Sequence, residues 1–367
     1  MRPAALEAML PHLGEHFANP SGAHRFAREA RRSIDEARDV VADVTGVSPG
    51  EVVFTGCGTE SDNTAILGAV AESAGGVAVC PAAEHHAVLE PVEHAGGTVV
   101  DVDATGHVDL DRLAAALGPD TAVVSVMAVN NEVGTVTDLA AVAGLVRVRA
   151  PQAVLHTDAV QAACWLDLRT IAPLVDAMSL SAHKFGGPKG VGVLTVRDGT
   201  RLAPLIRGGG QERERRSGTH NVAGIVAMAT ALAETDHERV AESARVAGLR
   251  DRLLDGLRSR LDGVVETVPR DGAVAGIAHV CIEGIESETL LFLLDEAEVC
   301  ASAASACASG AMEPSHVLAA MGVDRALAGG ALRMSLGHTT TADDVDRAVD
   351  ALTDSVARLR RLNVAAR

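Results

Sequence analysis

Ser179-Leu180-Ser181-Ala182-His183-Lys184-Phe185-Gly186-Gly187-Pro188-Lys189-Gly190 joins two apolar runs, Val175–Leu180 and Val191–Val196, and each run reads as a buried strand. Its two lysines are the entire lysine content of the chain. Of 32 Lys+Arg, removing Lys184 and Lys189 leaves 30 arginines. Arginine keeps its charge, whereas a lysine amine can lose its proton near neutral pH and attack a carbonyl. A lysine retained at the end of a strand therefore has either a chemical reason or an origin in chance.

Outward from this stretch, strand and helix patterns alternate from about Glu51 to Val196. Further apolar runs read as strands at Val77–Cys80, Thr98–Val102, Thr121–Val129 and Ala153–His156. Helical stretches fall at Leu110–Leu117 and Asp138–Arg149, with Asp138 as the N-cap. Such alternation implies a mostly parallel sheet covered by helices, with ligands bound beyond the carboxyl ends of the strands. Arg207–Thr219 interrupts the pattern with a run of three glycines, Gly208-Gly209-Gly210, and a charged run. A long helix over about Ala223–Leu261 follows. After it come a strand near His279–Ile282, a helix at Ser287–Glu296, a small-residue loop at 301–311, a strand at Ala331–Ser335 and a last helix from about Thr341.

The length of 367 residues predicts one large and one smaller domain. A net charge of −17 argues against direct nucleic-acid or anionic-membrane binding. No apolar run approaches the roughly 20 residues of a membrane span. The opening residues lack a signal-peptide core, so a cytoplasmic location is expected. The six cysteines show no metal-ligand spacing, and each reads as a small core residue or a reactive thiol.

Several residue patterns carry chemistry. Phe54-Thr55-Gly56-Cys57-Gly58-Thr59 runs a strand through glycines into a helix whose cap is placed at Thr59; it is an anion site or a plain capped helix. Asp158 ends a strand at the catalytic edge of the sheet. It is an N-cap, or the acid that keeps the pyridine nitrogen of pyridoxal 5'-phosphate (PLP) protonated, with Gln161 reaching the ring hydroxyl. Lys184 then reads as the Schiff-base lysine. His85 is a structural histidine or one that stacks on a flat cofactor and moves a proton; His86, in an extended chain, would face away. Cys307 lies among tiny residues in Ser305-Ala306-Cys307-Ala308-Ser309, which suits an exposed reactive thiol, and Cys300 is the weaker candidate. Arg333, inside an apolar strand, grips either an internal carboxylate or that of an amino-acid substrate.

Together these residues resemble the cysteine desulfurases of the NifS/IscS type, in the class V aminotransferase family. The carrying motifs are Gly58-Thr59-Glu60-Ser61-Asp62-Asn63, Glu84-His85, Asn130-Asn131-Glu132-Val133-Gly134, Asp158-Ala159-Val160-Gln161, Ser181-Ala182-His183-Lys184, Arg216-Ser217-Gly218-Thr219, Ser305-Ala306-Cys307 with Glu313-Pro314-Ser315, and Arg333-Met334-Ser335-Leu336-Gly337. The resemblance spans essentially the whole chain. It implies an α/β fold of the PLP-dependent transferase fold type I. That fold has a large domain (16–245) with a mostly parallel seven-stranded sheet and a smaller α+β C-terminal domain (246–367) carrying the nucleophile loop. Residues 1–15 are expected to pack with the smaller domain.

The resemblance further implies residue roles. Lys184 holds PLP covalently and acts as a base, Asp158 pairs with the pyridine nitrogen, and His85 stacks on the ring. Asn131 and Gln161 lie at the ring and its hydroxyl. Gly58, Thr59, Ser181 and His183 hold the phosphate, joined by Thr219 of a second subunit in a homodimer with shared sites. Arg333, with Asn131, binds the carboxylate of L-cysteine. Cys307 takes the sulfur as a persulfide, leaves L-alanine, and passes sulfur to a protein acceptor, either an iron–sulfur scaffold or a tRNA thiolation enzyme. The alternatives are a selenocysteine lyase, a transaminase, or an inactive PLP-binding scaffold. The last is expected if some ten residues that precede the first helix in family members are absent.

Overall fold

A computed structural model describes residues 1–73, 75–303 and 315–365. Internal contacts divide the chain into two units. The first comprises Met1–Val100, Asp109–Val129 and Thr137–Arg239; the second comprises Asp101–Val108, Asn130–Val136 and Val240–Arg367. The division at Arg239/Val240 falls inside one 39-residue helix, Val222–Arg260.

The first unit is built on seven strands: β1 (Val52–Thr55), β2 (Val77–Pro81), β3 (Thr98–Val100), β4 (Thr121–Ser125), β5 (Val154–Asp158), β6 (Ala177–Ser181) and β7 (Gly192–Val196). They form one sheet in the order β1-β7-β6-β5-β4-β2-β3. All neighbours are parallel except at β7, which runs antiparallel to both β1 and β6. The central strands are buried along their whole length, which is why they read as continuous apolar runs rather than alternating ones. Ile66 and Ala69 of the Gly58–Glu72 helix and Val88 and Val92 of the His86–His94 helix pack with Ala78, Cys80 and Val123 of the sheet.

Three expectations are corrected here. The Thr121–Val129 run is a strand only to Ser125. Beyond it, Val126 and Ala128 donate to the carbonyls of His156 and Asp158 as the chain leaves the regular ladder. The Thr98–Val102 run is a strand only to Val100. The cap of the glycine-turn helix is Cys57, not Thr59: Cys57 is extended (φ −176°), and its carbonyl already accepts from the Ser61 N–H at 3.2 Å. Asp138 does cap the Leu139–Arg149 helix, accepting from the Ala141 N–H.

The second unit holds β8 (Val264–Glu266), β9 (Ile277–Ile282) and β10 (Ala331–Ser335), all antiparallel in the order β10-β9-β8. The helices Ser287–Glu296 and Ala342–Ala365 belong to it, and Leu290, Leu294, Val345, Leu352 and Val356 supply buried apolar positions.

Candidate active site

In the first unit, β5 and β6 are parallel neighbours, so Asp158 and Ser181 end at the same edge of the sheet. A short 3₁₀ turn, Ala182–Lys184, then carries Lys184 past that edge. The lysine's positive charge acts on the Asp158 carboxyl. Burial pushes Asp158 up to about 6, while the Val160 N–H (2.9 Å from Oδ1) and Lys184 pull it back down. A buried acid with one bonded oxygen is a strong acceptor for a cationic ring N–H.

Beneath Asp158 lies a buried polar layer that sequence reasoning missed. His156 on β5 bridges Ser125 Oγ (2.8 Å from Nδ1) and Ser179 Oγ (2.9 Å from Nε2), and burial lowers it to about 3, so the ring is neutral. Asp62 and Glu84 are both pushed well up, first by burial and further by the negative charge of Asp158. Glu84 also accepts from the Met127 N–H at 2.6 Å. Asp62 is a buried carboxylate on the Gly58–Glu72 helix, and such a residue needs a partner or a proton.

The glycine turn reaches the same edge. A Cβ on Gly58 would stand 2.8 Å from Val160 Cγ2 and 3.4 Å from Ser181 Cβ, so glycine is what lets this helix N-terminus come so close. Ser181 Oγ and His183 Nδ1 lie 3.0 Å apart. His183 is lowered by burial and then by Lys184 and Lys189, which favours its neutral form. Thr59 and His85 line one cavity of about 620 Å³ together with Asn63, His86 and Glu90. His85 is the N-cap of the His86–His94 helix, its Nδ1 accepting from the Ala87 N–H. The chain turns there, so both histidine rings line that cavity, against the expectation for an extended chain. Gln161 is half-buried just beyond the Asp158 turn, and Thr219 is exposed.

The interruption at 207–219 is pinned by ion pairs. Glu212 accepts two bonds from Arg38 (2.7 and 2.9 Å), one from the Phe54 N–H and one contact from His220 Nε2. Burial raises this acid, but those bonds outweigh it and hold it at about 2. They also hold Glu212, Arg213 and Glu214 in left-handed backbone (φ 49°, 57° and 67°), a conformation that stores strain in non-glycine residues. Arg216 pairs with Glu60, whose carboxylate also accepts from the Gly56 N–H.

Arg333 and Asn131 belong to the second unit. Arg333 Nη1 donates to the Asn131 carbonyl at 2.9 Å, and its Nε is buried without a partner among the described residues. No carboxylate lies within ion-pair distance of it among the described residues. Glu132, buried, is raised to about 7 by burial, with Ser315 and Arg333 acting against the rise. Cys307 lies outside the described residues. Cys300, the weaker thiol candidate, is exposed.

Residues 1–15, expected with the smaller domain, are counted in the first unit. The Arg2 N–H donates to the Gly186 carbonyl, two residues past Lys184, and its guanidinium pairs with Glu234 and Glu238.

The family model for class-V aminotransferases matches residues 1–348. The chain belongs to the class-V aminotransferase family. An IscS-like cysteine desulfurase of Mycobacterium tuberculosis is 44% identical over 381 residues, covering all of this chain and 96% of that protein. A solved NifS-like protein aligns with TM-score 0.91 at 36% identity, over 97% of this chain and 96% of its own. A structure described as SspA in complex with cysteine aligns with TM-score 0.80 at 31% identity, over 93% and 97%. The fold is that of the PLP-dependent transferases of fold type I, and class-V aminotransferases work with PLP. The first unit's donors fit that group: an acid for a ring nitrogen, a lysine amine beside it, and a glycine-opened helix N-terminus flanked by Ser181 and His183 for a phosphate.

Proposed function

We propose that this chain is a PLP-dependent cysteine desulfurase that takes sulfur from L-cysteine onto Cys307. The observation that carries the reading is that Lys184 and Asp158 lie near one sheet edge, the lysine's charge acting on the carboxyl, in a chain whose relatives are named cysteine desulfurases. When bound, PLP supplies an electron sink for the bonds around the substrate's Cα. Lys184 would hold the cofactor through its Nζ and would serve as the base for the Cα proton. The Asp158 carboxylate would keep the ring nitrogen protonated. His85 would stack on the ring, Gln161 and Asn131 would address its substituents, and Gly58, Thr59, Ser181 and His183 would bind the phosphate. Arg333, with Asn131 beside it, grips the substrate carboxylate.

Cys307 carries the transfer. Its thiolate attacks the substrate sulfur, an S–S bond forms and the substrate Cβ–S bond breaks. Electrons and protons balance as L-cysteine plus the Cys307 thiol giving L-alanine plus the Cys307 persulfide. A protein acceptor then takes the outer sulfur, either an iron–sulfur scaffold or a tRNA thiolation enzyme. We also propose a homodimer in which Thr219 serves the second subunit's phosphate, a large domain at 16–245 with a small one at 246–367, and a cytoplasmic location. No helix among the described residues is long and apolar enough to cross a membrane.

The test is alanine and sulfide release from L-cysteine with PLP and a thiol reductant. Equal yields, lost in Cys307→Ala, are expected. A transaminase would leave Cys307→Ala as active as the native chain. A yellow, PLP-loaded protein that neither shifts its absorbance with L-cysteine nor makes alanine would be an inactive scaffold.

A further inference from the structure

The motif Asn130-Asn131-Glu132-Val133-Gly134 yielded one expected site residue, Asn131, yet the turn it forms is organised around its neighbour Glu132. Asn130 Oδ1 accepts from the N–H groups of Glu132 and Val133, each at 2.9 Å. Gly134 has φ +85°, and a Cβ there would meet Ile277 Cβ at 3.1 Å, so the turn closes only with glycine. Backbone bonds from Val274 to Gly134 and from Val136 to Gly272 fasten it at both sides. A turn so fixed aims two groups. The Asn131 carbonyl accepts from Arg333 Nη1, and the Glu132 carboxyl points into the interior, 3% exposed.

Two residues meet that carboxyl, and a third acts on it from beyond ion-pair distance. The Ser315 hydroxyl hydrogen-bonds it, and the positive charge of Arg333 acts on it. His279 Nε2 stands 3.9 Å from Oε1, and His279 is the residue directly opposite Arg333 across the β9–β10 ladder. Ser315 in turn caps the His316–Ala320 helix. On the other flank, Arg333 exchanges both backbone hydrogen bonds with Ser302, at 2.7 and 3.0 Å. Ser302 and Ser315 stand on either side, in sequence, of the stretch that contains Cys307. Both therefore refer to one cluster, Ser302 through the Arg333 backbone and Ser315 through the Glu132 carboxyl.

We propose that Glu132 is a positioning residue that ties Arg333 and Ser315 to one buried frame, so that the grip on the substrate carboxylate and the anchors flanking Cys307 share a common reference. This rests on the desulfurase reading above, in which Arg333 holds the carboxylate and Cys307 attacks the sulfur. Sulfur transfer needs the two sulfurs in register, and a misplacement of about 1 Å is worth roughly 100-fold in rate. The role is thus one of alignment, and it belongs in kcat rather than KM.

The experiment compares the PLP-loaded wild type with Glu132→Ala, Glu132→Gln and Ser315→Gly. Initial rates of alanine formation from L-cysteine are read per PLP-loaded site, with KM and thermal midpoint alongside. Glycine is tolerated at an N-cap, so Ser315→Gly removes the hydroxyl while keeping the helix, and it serves even where Glu132→Ala fails to fold. Glu132→Ala and Ser315→Gly should each lose 10- to 100-fold in kcat with KM moving less than about threefold. Glu132→Gln, which keeps an acceptor for Ser315, should recover most of the rate. If Ser315→Gly keeps kcat within twofold of wild type, or if KM rises in step with the loss of kcat, the positioning role is wrong while the desulfurase reading stands. If the wild type makes no alanine, both fall.

Discussion

Arg38 is a buried guanidinium and Arg333 a half-buried one, and they are treated in opposite ways. Arg38, 7% exposed, has both terminal nitrogens on the Glu212 carboxylate, a further bond to the Val52 carbonyl, and the ring of Phe54 beneath it at 4.6 Å. Arg333 has one backbone carbonyl, a buried Nε with no partner, and no carboxylate in ion-pair range among the described residues. A saturated buried arginine holds the fold together; an arginine left short of a carboxylate is prepared to receive one. That difference supports the proposed role of Arg333 in gripping a substrate carboxylate.

The comparison breaks most easily at Arg38. Arg38→Ala leaves Glu212 buried without its main partner and should cost about 3–5 kcal/mol of stability, read from the denaturant midpoint. Turnover per folded molecule should stay near wild type. The sign in acid follows from Glu212, whose folded value is depressed from 4.5 to about 2. Its contribution is present above the ordinary value and leaves as pH falls toward 2, so this part of the acid unfolding should weaken in the variant. Arg333→Ala should do the reverse. A loss of about 30- to 1000-fold in kcat/KM for L-cysteine is expected, following the 2–4 kcal/mol typical of a severed charge pair, with little change in the midpoint. An Arg333→Ala variant that unfolds easily and binds substrate normally would place Arg333 with Arg38.

Asp158 sharpens the same contrast, since it is a buried acid that awaits a cation. Its folded value is raised from 3.8 to about 6. A raised acid contributes stability below the ordinary value, and the contribution is lost as pH rises through about 6. PLP-free wild type should therefore lose on the order of 2–3 kcal/mol relative to Asp158→Asn between pH 4 and pH 7. Parallel stability curves for the two proteins would contradict the raised value. The smallest effect concerns an ordinary cap. Asp138→Ala removes the acceptor for the Ala141 N–H and should cost about 1 kcal/mol without touching turnover.

What was legible in the sequence was local. Buried parallel strands read as apolar runs, the Asp138 cap precedes its helix, and Asp158 and Lys184 stand at strand ends where parallel pairing brings them to one edge. The reversal of β7 was not legible, because a fully buried strand has the same composition in either direction. Nor was the cap of the glycine-turn helix: Thr59 is the better capping residue by type, but the first helical bond is accepted by the Cys57 carbonyl. Asp62, Glu84, His156 and Glu132 were missed because each acquires its role from residues distant in sequence. Glu212 finds Arg38 from 174 residues away, and Arg333 finds Asn131 from 202. Carboxylates on apolar faces were the available signal, and they do not name their partners.

The most direct test is a single-turnover incubation of PLP-loaded protein with L-cysteine in the absence of reductant, followed by mass analysis of the peptide containing Cys307. One added sulfur on Cys307 for each alanine formed is the expected result. Alanine without a sulfur on that peptide, or a persulfide that forms equally well on Cys300 in Cys307→Ala, would contradict the assignment of Cys307 as the nucleophile.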